Sequence, residues 1–576
     1  MKADSLSITE IINQSTLFEI PFYQRRYIWE ESNWDRFYED MKSTIDSNRK
    51  YFLGAIILKK TKVSDDEADR GISHKRLVID GQQRLTTLAI FMKLLYQLTL
   101  KNDDFLFQYM QPDKVNPVIV HSCEDRSKFV DIMTSDAASE KMVDDGSKYI
   151  FGAYNFFLAK LKEDEKQGVS IERLLNRVKS KVSFVVITLD DEDNEQQIFD
   201  TINSLGCPLT TGDLVKNFLY TSNDQEAYRK NWKDVFDTDE AQKFWQTDKA
   251  RSRQGKDRKN ITIERFFHAF VRIKMWDFQL NDRQRKEFVK EDNVFETLKA
   301  FANDFGMNKQ SLANEIISYA KLYKEFLNSD ILDRSIPEYG CIERISCLIN
   351  GTQNYAVVPY VLYILRNVAS IDERNKIFNL LEIYLIRRMI AGSDNKSYSD
   401  LFSESLINGR KNTYVSLKVY LDERDGALEL PSDTRIKVSV NSPKKLKENT
   451  ALTILYFYET RISPTTSDSF NGFTAVQLMP EKDSDNWPGF RKDTKKEEER
   501  KVYANTIGNY FLEKKEGSST LKKVEDAPCS TKVSTMKDWA IGISAENLNG
   551  ISDWNSDLIK TRSTSLASSF INRWSI

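Results

Sequence analysis

The sequence predicts an α+β protein that is predominantly helical. The chain of 576 residues contains only 21 Gly and 12 Pro, and such a composition, together with many Leu, Ile, Lys and Glu, favours helices. Two apolar runs, Tyr51–Leu58 and Val182–Leu189, instead predict buried strands. Because the chain is too long for one ordinary core, we expect two to four domains.

Charge and cysteine usage narrow the class of protein. The 84 basic and 86 acidic residues leave a net charge of −2, which does not indicate nucleic-acid binding overall, although local basic patches decide that question. The five scattered cysteines form no CxxC pair, which indicates reduced thiols and no zinc site. Without an apolar signal core or a run of about 18 apolar residues, we expect a cytoplasmic protein that does not contact a membrane.

The first region with a clear order of elements follows the strand at Tyr51–Leu58. The polar segment Thr61–Lys75 is interpreted as a loop, and Leu77–Ile79 as a short strand. From Leu85 to Tyr96, apolar residues recur with the spacing of an amphipathic helix. The order is therefore strand, polar turn, helix.

The polar turn carries the most informative residues of the chain. A helix N-terminus offers free N–H groups and the positive end of a dipole, which suits phosphate. Gly81 permits the tight turn, and Arg84 could add a bidentate fork to the phosphate. Gln82 and Gln83 could donate to phosphate or orient a water, and Asp80 could hold a metal or accept a proton. A capped helix with a surface arginine fits the same residues.

Two other segments have mixed aromatic, polar and basic character. In Ile20–Trp29 (IPFYQRRYIW), the aromatic side chains could stack on a base and the arginines could bind a phosphate. The segment could equally pack as an amphipathic edge. Glu195–Asn203 is a predicted helix, and the loop after it runs into a helix at Leu214–Tyr220 that Thr210–Asp213 caps. This arrangement could form the wall of a pocket, or be only two well-capped helices.

The remainder of the chain is helical up to about residue 425 and then changes character. Prolines and short apolar runs such as Leu452–Tyr458 appear near residue 430, so we expect domains at 1–225, 226–430 and 431–576. An exposed basic loop interrupts the helical part. It is either a solvated loop or a contact for DNA phosphates. Its six positive residues are Lys249, Arg251, Arg253, Lys256, Arg258 and Lys259.

Four motifs together resemble the N-terminal domain of the GmrSD-type modification-dependent restriction proteins. IPFYQRRYIW, YFLGAIIL, VIDGQQRLTTL and FDTINSLGCPLTTGDLVKN occur in this order over roughly residues 8–222. The resemblance implies a ParB/sulfiredoxin-like fold that binds and hydrolyses a nucleoside triphosphate, GTP or another, with Mg²⁺ or Mn²⁺. In some members this domain senses modified phage or host DNA.

The resemblance also implies roles for individual residues. Asp80, Gln82, Gln83 and Arg84 would be catalytic, and Asp80 would hold the metal. The nucleotide pocket would further be lined or flanked by Tyr23, Gln24, Arg25, Gly81, Asn203 and Gly206.

The end of the chain resembles the HNH (His-Me finger) nuclease of the same family, a small ββα domain. Gln477 stands where the family's His-x-x-Pro motif has histidine, and Pro480, Asn509 and Arg562 match the other motif positions. The histidine acts as a general base, whereas glutamine has no group that titrates near neutral pH, and loss of a general base costs about 10²–10⁴-fold in rate. We therefore expect a degenerate nuclease fold, with Glu481 or Asp483 as an alternative base.

Two hypotheses about function follow. The first is an anti-phage defence protein that hydrolyses a nucleoside triphosphate and thereby controls recognition or cleavage of DNA. The second is a non-cleaving, nucleotide-dependent DNA sensor or regulatory subunit that works with a partner nuclease or self-associates. The third alternative is a structural scaffold that binds no nucleotide.

Overall fold

The computed structural model describes residues 2–22, 24–46, 50–121, 123–135, 149–190, 210–220, 224–247, 262–337, 341–442, 446–462, 469–481, 486–487 and 494–576. The chain forms two compact units, Met1–Asp239 and Glu240–Ile576, here called the first and second unit. The second unit contains most of the predicted connector and all of the predicted C-terminal domain. Among the described helices, none is both long enough and apolar enough to cross a membrane.

The first unit is built on a mixed six-stranded sheet. Its strands are β1 (Lys2–Ser7), β2 (Thr16–Glu19), β3 (Tyr51–Thr61), β4 (His74–Asp80), β5 (Ile119–Val120) and β6 (Val182–Leu189). Their order across the sheet is β1-β6-β3-β4-β2-β5. The β1–β6 and β3–β4 pairs are antiparallel, and β6–β3, β4–β2 and β2–β5 are parallel.

The helices of the first unit are mostly interspersed between these strands. They are α1 (Ile8–Ile11), α2 (Glu31–Ser43), α3 (Asp65–Asp69), α4 (Gln82–Leu98), α5 (Asn102–Tyr109), α6 (Cys123–Thr134), α7 (Ile150–Lys166), α8 (Ile171–Lys181), α9 (Thr211–Leu219) and α10 (Gln225–Ala227). A π-helical segment, Tyr228–Asp237, follows α10. Almost every residue of α4 is buried, so this helix is the centre of the unit.

Alternation along the strands separates the two faces of the sheet. Ile56, Leu58 and Val78 belong to the large core that includes α4, whereas Ile57 and Ile79 belong to a small cluster with other strand residues. Successive side chains of a strand point to opposite faces. Both faces are therefore buried at the centres of β3 (Ile56–Leu58) and β4 (Leu77–Ile79), which explains why these segments are apolar without a polar side.

The second unit is mainly helical. Its helices are α11 (Asp239–Trp245, which starts at the end of the first unit), α12 (Thr262–Lys274), α13 (Asp282–Phe288), α14 (Val294–Asn303), α15 (Lys309–Phe326), α16 (Ile342–Thr352), α17 (Val358–Asn367), α18 (Ile371–Ile390), α19 (Tyr398–Asp400), α20 (Tyr414–Asp422), α21 (Asp433–Ser439), α22 (Glu448–Ile462), α23 (Thr494–Ala504), α24 (Ser518–Lys523), α25 (Cys529–Lys537), α26 (Gly542–Leu548) and α27 (Ser556–Arg573). Strands β7 (Phe473–Gln477) and β8 (Tyr510–Lys514) form an antiparallel pair.

A buried ionic cluster joins the helices of the second unit to its C-terminal end. The carboxylate of Glu382 in α18 accepts hydrogen bonds from Arg344, at 2.6 and 3.0 Å, and from Arg461 at 2.9 Å. The indole N–H of Trp574 also donates to Glu382, at 3.1 Å. Glu382 is 1% exposed, and two arginines and an indole donor satisfy a charge that burial would otherwise penalise.

One prediction about local structure is wrong. Thr61–Lys75 is not a continuous loop, because Ser64 and Glu67 form a capping box that starts α3, and β3 and β4 extend into its ends. The apolar run Leu452–Tyr458 lies at the centre of α22. Helix α9, in contrast, begins after Thr210 with the capping box to Asp213 that the sequence predicts.

Candidate functional site

The turn between β4 and α4 requires glycine at position 81. Gly81 has φ 96° and ψ 8°, in the left-handed region, where a side chain is unfavourable. A Cβ atom at this position would lie 2.5 Å from Cγ2 of Ile56 in β3. The turn therefore brings the first residues of α4 close against the neighbouring strand.

The N-terminus of α4 presents free main-chain donors. The first hydrogen bond of the helix runs from the N–H of Leu85 to the carbonyl of Gly81, at 3.0 Å. In the described part of the chain, the N–H groups of Gln82, Gln83 and Arg84 have no acceptor. Three such donors at the positive end of a 17-residue helix form a site that favours an anion.

Arg84 lies between the turn and strand β3. Its guanidinium pairs with Asp80 at 3.0 Å, and both side chains are about one quarter exposed, 27% and 23%. A Cβ at Gly54 would lie 2.5 Å from Nη1 of Arg84, and Gly54 has φ +120° at an irregularity of the β3 register. Gly54 thus makes room for Arg84. The sequence interpretation missed this role, although a glycine inside an apolar strand indicates a bulge or a close approach.

Three buried glutamines attach the segment that precedes α2 to the turn. Gln24 donates to the carbonyl of Ile79 at 3.0 Å. Gln82 donates to the carbonyl of Arg25 at 2.8 Å. Gln83 donates to the carbonyl of Arg26 at 2.9 Å and accepts from the N–H of Ile28 at 2.9 Å.

These bonds bear on the predicted chemistry of the glutamines. Each amide nitrogen already donates one hydrogen to the main chain, so Gln82 and Gln83 hold the walls of the site together. A direct contact of either side chain with phosphate stays a prediction.

The two arginines of the YQRRY motif have different environments. Arg26 pairs with Asp239 and donates to the main-chain carbonyl of Asp237. Arg25 is half-buried, and its guanidinium makes no hydrogen bond or ion pair within the described ranges. Arg25 and Arg84 are therefore the two predicted cations of this site. Arg25 has no partner among the described residues, and Arg84 is paired with Asp80. Tyr23, Asn203, Gly206 and the predicted helix Glu195–Asn203 lie outside the described residues.

Deeper hydrogen bonds hold the same segment against α4. The Tyr27 N–H donates to Asp125 at 2.8 Å, and the Tyr27 hydroxyl lies 2.7 Å from that of Thr87. His121 lies 3.1 Å from the Thr86 hydroxyl, and burial lowers the pKa of His121 to about 3. This histidine is therefore neutral near pH 7 and is not suited to carry a proton for chemistry at the turn.

A metal at Asp80 would need ligands beyond those that the described residues supply. Among the described residues, no group of three or more His, Cys, Asp and Glu side chains could hold a metal ion. Mg²⁺ is commonly bound by one or two carboxylates together with substrate phosphates and water. The single carboxylate of Asp80 beside an anion site fits that mode of binding.

The predicted HNH-like residues lie close together at the β7–β8 pair. Gln477 faces Tyr510 across the pair, and its amide donates to the carbonyl of Ala504 at 2.8 Å and to the Tyr510 hydroxyl at 3.0 Å. The described contacts of Gln477 are thus those of a structural amide. Pro480 is buried just beyond β7, and Glu481, the alternative base, is exposed. Asp483 lies outside the described residues.

Asn509 and Arg562 are also engaged with the main chain. The Asn509 amide donates to the carbonyls of Met479 and Ala504, both at 2.8 Å. Arg562 of α27 donates to the carbonyls of Gly508 and Tyr510, at 2.6 and 2.7 Å. Both side chains stabilise the fold around β8. The basic loop with Lys249, Arg251, Arg253, Lys256, Arg258 and Lys259 lies outside the described residues.

Comparison with known protein families finds a match in the first unit. Residues 8–220 match the family model described as the GmrSD restriction endonuclease, N-terminal domain. A search of curated proteins finds no match. The match supports a GmrSD-type restriction-protein N-terminal domain over these residues. A domain of this type is associated with restriction-type defence against phage and implies DNA as substrate.

Proposed function

We propose that this protein is an anti-phage defence protein whose first unit binds and hydrolyses a nucleoside triphosphate at the N-terminus of α4, and thereby controls recognition or cleavage of DNA. In this proposal, the six-stranded sheet with its helices is a ParB/sulfiredoxin-like domain, and β7, β8 and α27 belong to an HNH-like domain. The family match over residues 8–220 supports the defence role.

One observation carries the nucleotide site. Three free N–H groups, the guanidinium of Arg84 and the carboxylate of Asp80 converge at one glycine turn. The N–H groups and Arg84 would bind the phosphates and stabilise the charge that develops during hydrolysis. Asp80 would contribute a carboxylate to Mg²⁺ or Mn²⁺. A metal bound with the phosphates would neutralise part of their charge.

The nucleotide site can be tested with a single arginine. We would measure phosphate release from ATP, GTP, CTP and UTP with Mg²⁺, in wild type, Arg84→Ala and Arg126→Ala. Arg126 is an exposed arginine of α6 in the same unit, so Arg126→Ala is a matched control. We expect Arg84→Ala to lose about 10²-fold or more in rate, because it removes a donor to the developing charge.

The stability cost of this substitution is small. The Arg84–Asp80 pair is partly exposed, and such pairs contribute about 0–1 kcal/mol, so the variant should remain folded. Equal rates in wild type and Arg84→Ala would reject the assigned phosphate site.

The alternative is a non-cleaving, nucleotide-dependent sensor or regulatory subunit that works with a partner nuclease. The bonding of Gln477, Asn509 and Arg562 to the main chain favours it. Incubating the protein with plasmid, Mg²⁺ or Mn²⁺ and a triphosphate separates the two functions. Complete absence of nicking, with DNA binding retained, supports the sensor. Nicking that survives Gln477→Ala but disappears in Arg84→Ala would assign cleavage to the first unit.

A further inference from the structure

The second unit contains a small cavity of a different chemical character from the α4 site. Its volume is about 280 Å³, and helices α11, α12 and α15 contribute to its wall. Three basic and three aromatic side chains line it: Lys243, Arg265, Lys324, Phe244, Tyr323 and Tyr355. We call it the Arg265 cavity.

The three cations of the Arg265 cavity have no anionic partner within the described ranges. Among the described residues, Lys243 and Lys324 form no ion pair or hydrogen bond through their ammonium groups. The guanidinium of Arg265 lies 4.2 Å from the centre of the Tyr355 ring, and its buried Nε atom has no hydrogen-bond partner in the described part of the chain. A buried donor without an acceptor is unfavourable. An anion that reached it would supply the missing acceptor.

The acidic residues of the cavity wall do not neutralise these cations. Glu240 and Asp330 also line the cavity, and both are exposed. Asp330 accepts a hydrogen bond from the side chain of Asn328 at 3.0 Å. Neither carboxylate reaches Arg265, Lys243 or Lys324 as an ion pair in the described structure.

The chain on either side of the basic loop is fixed at the rim of this cavity. Thr247 and Thr262 both line it, and the N–H and hydroxyl of Thr262 donate to the carbonyl of Thr247, at 3.2 and 3.1 Å. Between these two residues the sequence contains six lysines and arginines and two aspartates. The net positive charge of this segment favours an anionic ligand over a cationic one.

We propose that the Arg265 cavity binds one nucleotide unit of a DNA strand, with the phosphate on Arg265 and Lys324 and the base against the aromatic side chains. This proposal depends on the proposed function only because it takes DNA as the ligand. A volume of about 280 Å³ lies at the lower limit of about 300–1,000 Å³ for ligand pockets, which suits a single nucleotide. Arginine forks bind phosphate bidentately, and bases stack on aromatic rings.

Fluorescence anisotropy with a labelled single-stranded oligonucleotide of about 12 nucleotides, a length within the known range of single-strand sites, tests this proposal. The full chain would be compared with the double variant Arg265→Gln/Lys324→Gln over a series of salt concentrations. Loss of the contacts to one phosphate should reduce the slope of log affinity against log salt by about 0.7. Tyr355→Leu should weaken binding on the order of ten-fold through lost stacking.

A matched control comes from the same helix. Lys321 is an exposed lysine of α15 that does not line the cavity, so Lys321→Gln removes a charge without touching the proposed site. Competition with unlabelled dTMP shows whether a free nucleotide uses the same cavity. The double variant could lose dTMP binding and still bind the oligonucleotide with wild-type affinity. That result would assign the cavity to free nucleotides and overturn the proposal that it binds a DNA strand.

The proposal is overturned if the double variant and Lys321→Gln bind the oligonucleotide with equal affinity and equal salt dependence. Triphosphate hydrolysis should be unchanged in every variant of the Arg265 cavity, because the α4 site lies in the other unit. A wild-type protein that binds the oligonucleotide through this cavity but hydrolyses no triphosphate would contradict the proposed nucleotide site and leave the cavity assignment standing.

Discussion

The glycine at the β4–α4 turn provides a sharp test of how the candidate site is built. In Gly81→Ala, the new methyl group meets two obstacles. The backbone must keep φ 96° with a side chain present, and the Cβ would stand 2.5 Å from Cγ2 of Ile56. Ile56 is fully buried in the core of the first unit, so it has little room to yield.

The two obstacles can be given separate magnitudes. A left-handed conformation costs a residue with a side chain roughly 1–2 kcal/mol. Forcing an additional carbon into a packed core costs typically about 1–3 kcal/mol. We therefore expect Gly81→Ala to lower the free energy of unfolding of the first unit by about 2–5 kcal/mol.

A second glycine isolates the backbone contribution. Gly168 has φ +88°, close to that of Gly81, but a Cβ there would have no atom within 4 Å. Gly168→Ala should therefore cost only about 1–2 kcal/mol. Hydrogen exchange followed by mass spectrometry over β4 and α4 would measure the opening free energy in both variants, and triphosphate hydrolysis should fall only in Gly81→Ala.

The reasoning would be refuted by equal destabilisation in the two variants. That result would mean that Ile56 moves aside without cost, so that the close approach of α4 to β3 does not constrain the site. Normal hydrolysis in a destabilised Gly81→Ala would separately show that the geometry of the turn does not position the phosphate donors.

Three further predictions concern buried ionisable groups. The pKa of His121 is lowered from 6.5 to about 3, so its contribution to stability is complete above pH 6.5 and is lost as the pH falls towards 3. The free energy of unfolding of His121→Gln, measured in urea, should therefore fall less over this pH range than that of wild type. An unchanged pH dependence would contradict this. Burial raises the pKa of Glu513 to about 8, and neither carboxylate oxygen has a hydrogen-bond partner within the described ranges. Its contribution is therefore present below pH 4.5 and lost as the pH rises through 8, and Glu513→Gln should be more stable than wild type at pH 9. Glu382→Ala should cost about 3–5 kcal/mol in equilibrium unfolding because it leaves two arginines buried without their carboxylate. Glu287→Ala, which breaks an ion pair with Lys290 that is exposed on both sides, should cost about 0–1 kcal/mol; similar costs would contradict the role of Glu382.

Several elements near the candidate site could be predicted from local sequence. Strand β6 has the predicted bounds, Val182–Leu189, because a β-branched run between polar residues has a strong strand preference. The cap of α9 at Thr210 and the helix after Gly81 also follow from residues within one helical turn. Such features depend on neighbours in the chain, which a sequence displays directly.

The partners of the site residues could not be predicted in the same way. Gln24 bonds to Ile79 across 55 positions, and Gly54 makes room for Arg84 from a different strand. The sequence therefore indicated Gln82 and Gln83 as phosphate contacts, whereas the structure shows their amides bound to the main chain of residues 25–28.

The sequence by itself determined the mixture of sheet and helix, the glycine turn before α4 and the absence of an imidazole at position 477. Only the tertiary structure decided which side chains remain available for a ligand and which hold the fold together. The physical reason is that a polar side chain has a limited number of hydrogen bonds to make, and burial requires it to make them with whatever group the fold brings near. Arg265 and Arg344 look alike as residues in a helical sequence. The fold surrounds Arg344 with a carboxylate and carbonyls, and leaves Arg265 beside a cavity with a buried donor unsatisfied.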